Sequence, residues 1–155
     1  MAQEPEPYFR SRPATGGDAD PADASGAWMG PLEDCQLYEL AEGISFRPVF
    51  GENLLLNFVT FGPERGFPEH AHPEEQFGLV LEGEMELTIA GQTRLLGKGD
   101  IYVIPPNVPH DGRTFATACL VLDIFSPPRA GFRELIGRAN KLRSPAAWWE
   151  PAEPE

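Results

Sequence analysis

The stretch His70-Ala71-His72-Pro73-Glu74-Glu75-Gln76-Phe77-Gly78-Leu79-Val80-Leu81-Glu82-Gly83 decides how this chain is read. Its two histidines stand two residues apart, so in extended backbone both imidazoles face the same side. Gln76 keeps that parity, whereas Glu75 falls on the opposite side. The chain has 3 histidines, and the third, His110, follows the strand-like run Ile101 to Ile104 and a turn through Pro105-Pro106. This set is suited to converge on one divalent metal inside a small β-barrel.

Outward from this stretch the pattern is one of short strands and turns. Candidate strands run from Cys35 to Leu40, Ile44 to Phe50, Leu54 to Phe61, Gln76 to Leu81 and Thr93 to Leu96. Met85, Leu87 and Ile89 alternate with polar neighbours, as a half-buried strand requires. Ala90-Gly91-Gln92 reads as a hairpin turn, Phe115 to Phe125 as a long final strand, and Phe132 to Leu142 as the one helix. Many short strands at this spacing predict an all-β sandwich or barrel.

Two motifs in this order resemble the cupin superfamily. The first is the stretch quoted above, ending at Gly83. The second, Gly99 to His110, reads GDIYVIPPNVPH. The resemblance runs from about Ile44 to Arg129 and implies a cupin fold: an all-β double-stranded β-helix, or jelly-roll barrel, with a short C-terminal helix. It implies a metal held by His70, His72, His110 and a fourth residue, for which Gln76 is favoured over Glu75. Two departures stand out. Asn107 replaces the second motif's inner glycine, a change asparagine tolerates because it enters left-handed turns. The glycine expected six residues before His70 is Glu64. Three imidazoles and an amide are all neutral, which leaves the metal's charge undiminished and suits Lewis-acid work more than the 2-His-1-carboxylate pattern of Fe(II) oxygen chemistry. One divalent transition metal is expected, and Zn, Ni, Fe, Mn and Cu all remain open.

The last strand adds a second set. Val121, Asp123 and Phe125 share one face, and Leu120, Leu122 and Ile124 the other. The second face is uniformly apolar, so it is expected to be the packed one. Asp123 then needs a polar partner on its own face, and Arg129 is a candidate, either as a simple ion pair or across a cavity. The segment resembles small cupins that act on unsaturated uronates from pectin and alginate breakdown, helping to convert the cyclic sugar to its linear keto form. It also resembles cupins of biosynthetic clusters, including polyketide cyclases. The resemblance implies a pocket lined by Asp123 and Arg129 in catalytic roles and by Phe125 as a wall. Tyr102 is a further pocket candidate. Arg47, Arg94 and Arg113 read as surface charges.

Size and charge bound the rest. The 155 residues fit one domain, with an N-terminal arm over 1–30 read as poorly ordered, a cupin domain over 31–130, and a helix and tail over 131–155. Trp28, Met29, Trp148 and Trp149 are possible anchors in the arm and tail. The net charge of −12 argues against nucleic acid or an anionic membrane as partner. Cys35 and Cys119 read as reduced thiols. No signal peptide or membrane span is evident, so a cytoplasmic location is expected, and the resemblance to small cupins implies a homodimer. The leading functional expectation is a metal-dependent isomerase, lyase or cyclase acting on a small, oxygenated, anionic metabolite. The alternatives are an Fe(II)-dependent dioxygenase and a non-catalytic small-molecule-binding cupin.

Overall fold

The computed structural model describes residues 31–143. The arm and tail, with the tryptophans placed there, lie outside them. Among the described residues eleven strands form two antiparallel sheets, accompanied by one α-helix. The larger sheet is made of β1 (Leu37–Ala41), β2 (Ile44–Phe50), β3 (Leu55–Phe61), β5 (Glu75–Glu82), β8 (Ile101–Ile104), β10 (Cys119–Ser126) and β11 (Lys141–Leu142), in the order β11-β1-β2-β3-β10-β5-β8. The smaller holds β4 (Gly66–His70), β6 (Glu84–Ile89), β7 (Gln92–Gly97) and β9 (His110–Arg113), in the order β4-β9-β6-β7. Helix α1 spans Phe132–Arg138. This is the expected all-β barrel with a short C-terminal helix. No helix among the described residues is long and apolar enough to cross a membrane.

The core lies between the inner faces of the sheets and is built by period-two alternation. Gln76, Gly78 and Val80 point inward from β5, and Leu55, Asn57 and Val59 from β3. Phe46 is fully buried, stacked on Tyr38 and edge-on to Phe132. Burying such a side chain contributes about 1.5–3 kcal/mol. Phe132 thus ties the helix to the barrel.

Several local expectations are corrected. On β10 the packed face is Val121, Asp123 and Phe125, while Leu122 and Ile124 are only half-buried. The apolar face turns outward at Leu122 and Ile124, while Leu120, next to a register shift, stays buried. The outward pair joins Phe77, Ile101 and Val103, which are 44, 69 and 43% exposed. β10 starts at Cys119 rather than Phe115, because the chain must first cross from β9 in the small sheet to the large one. The helix stops at Arg138, and Lys141 and Leu142 pair instead with Tyr38 and Leu37. The open edge of β1 offers backbone partners that the end of a short helix does not. Arg47 is buried, not a surface charge, and donates to the Cys35 carbonyl. Arg94 is exposed, and Arg113 pairs with Glu86 at the surface.

Two strands escape the hydrophobic pattern, and both carry a histidine. β4 (GFPEH) contains Pro68, tolerated because β4 is an edge strand. β9 (HDGR) is short and polar. The turns beside them use left-handed backbone at non-glycine residues, with φ of 55° at Glu64 and 63° at Asn107. Both occupy positions where the motifs expect glycine.

Candidate metal centre

His70 ends β4 and His110 begins β9, directly opposite each other in the antiparallel register. His72 lies just past β4, in the connector to β5, and its carbonyl accepts from the Asn107 N–H at 2.8 Å. Inward parity runs on from His72 through Glu74, Gln76, Gly78 and Val80, even though Ala71 to Glu74 are not strand. The ring centroids of His70 and His110 are 4.3 Å apart, and those of His72 and His110 5.0 Å. One ring nitrogen from each of the three lies within 4.8 Å of the other two. Phe67 packs edge-on against His70 and His110.

Hydrogen bonding fixes how the rings present themselves. Each Nδ1 lies 2.9–3.0 Å from a backbone carbonyl, that of Pro68 for His70, Glu74 for His72 and Val108 for His110. A carbonyl only accepts, so each Nδ1 carries a proton, an arrangement that in a neutral ring leaves the lone pair on Nε2. Burial holds His72 and His110 below the usual histidine range, favouring the neutral ring.

Gln76 completes the set. Its Nε2 donates to Asp123 Oδ1 at 2.8 Å, which turns its Oε1 the other way, 3.1 Å from His72 Nε2. A neutral His72 with its proton on Nδ1 therefore sets one lone pair against another. A cation between them removes the conflict, and donors about 2.1 Å from a shared ion stand about 3 Å apart at a right angle. The donor set thus fits a divalent metal. Glu75 is exposed and faces away from the cluster.

Asp123 is 8% exposed and accepts a second bond on Oδ1, from the Tyr102 hydroxyl at 2.7 Å. Its Oδ2 has no hydrogen-bond partner among the described residues. Burial pushes its carboxyl up to about 6, against the opposing pull of Tyr102, Gln76 and Arg129. Burial first, then the Asp123 charge, raises the Tyr102 phenol well above its ordinary value. No ion pair joins Asp123 to Arg129 among the described residues. Instead the Arg129 guanidinium lies 5.8 Å from both the Phe125 and Phe132 ring centres. Phe125 packs edge-on against His72. Arg129 also lines a surface cavity of about 280 Å³ with Phe50, Pro128, Gly131 and Arg133, and its charge is felt at His72, His110 and Asp123.

One buried group was not anticipated. Glu74 is 3% exposed; its Oε1 accepts from the Ala130 N–H at 2.8 Å, and its Oε2 lies 3.4 Å from His72 Nδ1. It fastens the histidine connector to the turn that carries Arg129. The parity shared with His72 and Gln76 was the signal for it. Cys119 lines the interior, and burial pushes its thiol up to about 12, which favours the protonated, unreactive form.

Comparison with known proteins agrees with this architecture. The family described as Cupin domain matches residues 57–125. The pectin degradation protein KdgF of Dickeya dadantii is 30% identical over 96 residues, covering 61% of this chain and 87% of that protein. The structure of KdgF from Halomonas sp. superposes with a TM-score of 0.64 at 27% identity, covering 70% of this chain and 99% of that one. An H2HPP isomerase of Bacillus subtilis is 39% identical over 61 residues, which span 39% of this chain but only 25% of the isomerase. With two antiparallel sheets closing over three convergent histidines, and with these relatives, the chain belongs to the cupin family.

Proposed function

We propose that this cupin is a metal-dependent enzyme that performs isomerase, lyase or cyclase chemistry on a small, oxygenated, anionic metabolite. The observation that carries this reading is Asp123, a carboxylate buried beside the histidine cluster and held by two neutral donors rather than by a cation. A buried carboxylate kept only for structure is expected to have an ionic partner. One with an oxygen left without a hydrogen bond is suited to take up and return a proton.

His70, His72, His110 and Gln76 would hold one divalent transition metal, with Zn, Ni, Fe, Mn and Cu all compatible with such donors. When bound, the ion supplies Lewis-acid polarisation of a substrate hydroxyl or carbonyl oxygen, undiluted by any ligand charge. Asp123 moves the proton through Oδ2 while Oδ1 stays engaged. Arg129 binds the substrate carboxylate, and the Phe125 and Phe132 rings beneath it hold the guanidinium in place. Phe125 walls the substrate, and Tyr102 keeps Asp123 oriented. The likeness to a pectin degradation protein makes an unsaturated uronate the first substrate to try. Domain limits of 31–130 and 131–155, a cytoplasmic location and a homodimer belong to the same reading. The outward apolar face of β5, β8 and β10 supports the homodimer.

The test is turnover of a 4,5-unsaturated uronate by metal-loaded protein under argon, followed by NMR. The linear keto form is expected to appear faster than without protein, and Asp123→Asn is expected to abolish the acceleration while retaining metal. Turnover that requires dioxygen would establish the oxygenase instead. Purified protein without stoichiometric metal, unaltered by His110→Ala, would establish a binding module.

A further inference from the structure

We propose that Tyr102, Gly78 and Asp123 form a brace across three strands that fixes the Gln76 carboxamide with Oε1 toward the histidines, and that this brace requires glutamine rather than glutamate at position 76. The proposal rests on the metal reading above and adds positioning residues to it.

Strand register brings these residues together. Gly78 on β5 lies directly opposite Asp123 on β10 and directly opposite Tyr102 on β8. All three belong to the inward-facing row of the large sheet. Side chains on neighbouring strands normally stand side by side in such a row. Here the central position has none, and the Tyr102 ring fills the space. A methyl group at position 78 would overlap the ring itself. Lying across that gap, the phenol oxygen reaches Asp123 on the far strand at 2.7 Å.

Gln76 is the next inward residue on β5, and it meets the same carboxylate oxygen from the other side. An ionised carboxylate offers only acceptors. Gln76 must therefore present its NH2 group to Asp123, which leaves Oε1 facing His72 Nε2 at 3.1 Å. The Tyr102 bond keeps Asp123 from rotating out of this arrangement. A glutamate at position 76 would bring a carboxylate oxygen about as close to Asp123 Oδ1 as the present amide nitrogen. The pair would then have to share a proton or move apart. The neutral fourth donor is thus matched to Asp123.

The test is Zn2+ affinity, measured by chelator competition, and the visible spectrum of the Co2+-loaded protein. Both are read for wild type, Tyr102→Phe, Gly78→Ala, Asp123→Asn, Gln76→Glu and the Gln76→Glu/Asp123→Asn double variant. Tyr102→Phe removes one hydroxyl and is expected to weaken Zn2+ binding about 10-fold, as loss of a group that orients a ligand does, and to shift the Co2+ bands. Gly78→Ala displaces the ring and is expected to do the same. Gln76→Glu is expected to weaken binding when Asp123 is present and to strengthen it when Asn stands there. Equal effects of Gln76→Glu in the two backgrounds, or a Tyr102→Phe protein with unchanged affinity and spectrum, would overturn the brace alone. Wild type that binds none of Zn2+, Ni2+, Fe2+, Mn2+ and Cu2+ would overturn the metal reading and the brace with it. Melting curves of the metal-free proteins show which variants fold; if Gly78→Ala does not, Tyr102→Phe and the double variant decide.

Discussion

The two sheets bring different chemistry to the barrel interior. The small sheet supplies imidazoles, His70 from its edge strand and His110 from the strand beside it. The large sheet supplies oxygen and amide groups: Gln76 from β5, Tyr102 from β8 and Asp123 from β10. His72 stands in the connector between them. The small-sheet histidines are oriented by backbone carbonyls two residues away, a local device. The large-sheet groups are oriented by one another across strands, a device that depends on register. The imidazoles and the oxygen and amide groups therefore rest on separate supports and should respond to different substitutions, with Gln76 at the point where the two meet.

The sharpest way to break this division is on the small sheet. His110→Ala is expected to abolish stoichiometric metal binding and, with it, all turnover, as read by elemental analysis and NMR. Metal retained at full stoichiometry would show that the two sheets are not specialised in this way. On the large sheet, Asp123→Asn is expected to lower kcat about 100-fold or more at saturating metal, the usual scale for losing a positioned proton carrier. A smaller loss would move proton handling elsewhere.

The packing of the helix on the large sheet gives a third test. Phe46→Ala leaves a cavity under β2 and α1 and is expected to cost about 3–5 kcal/mol of unfolding free energy by denaturant titration. At temperatures where the variant is folded, its metal stoichiometry should match wild type. Smaller is the effect expected of Glu74→Gln, which keeps the shape but removes the charge beside His72 and the strong acceptor for the Ala130 N–H. A several-fold rise in KM with kcat nearly unchanged would place Glu74 in support of the Arg129 turn. A selective fall in kcat would tie it to the chemistry. Last, Cys119 should resist alkylation in the folded protein at pH 8 and react on unfolding. Labelling of the native state would mean that the interior opens.

The sequence shows most of the large sheet and little of the small one, for a physical reason. β2 and β8 appear in it at their observed limits because a run of apolar residues, unbroken in β8 and spaced by Ser45, Arg47 and Pro48 in β2, lies between turn formers. β4 and β9 have no such run, since a proline, a glycine and charged residues fill them. They are strands because neighbours hold them, β9 between β4 and β6 and β4 along β9 alone. The histidines were nonetheless legible through spacing, because inward parity continues from His72 through the irregular connector. The face of β10 was misjudged because apolar content does not say which side is packed. Here the inner face carries the charge and the outer face the leucine and isoleucine. The Tyr102–Asp123 bond was out of reach, since it depends on a register between strands separated by many residues.

The placement of β10 has a consequence for the order in which the molecule can assemble. Residues 119–126 form a strand late in the chain, yet they lie in the middle of the large sheet, between β3 and β5. Until that segment is available, β3 and β5 each present an unpaired edge, and the Gln76 amide has no carboxylate to orient it. A chain emerging from the ribosome can form the hairpin of β6 and β7 early, from neighbouring residues, but it cannot close the barrel until about residue 126 is free. Closure then joins distant segments, the slow kind of step in β proteins. The chemical centre is thus among the last parts of the molecule to exist.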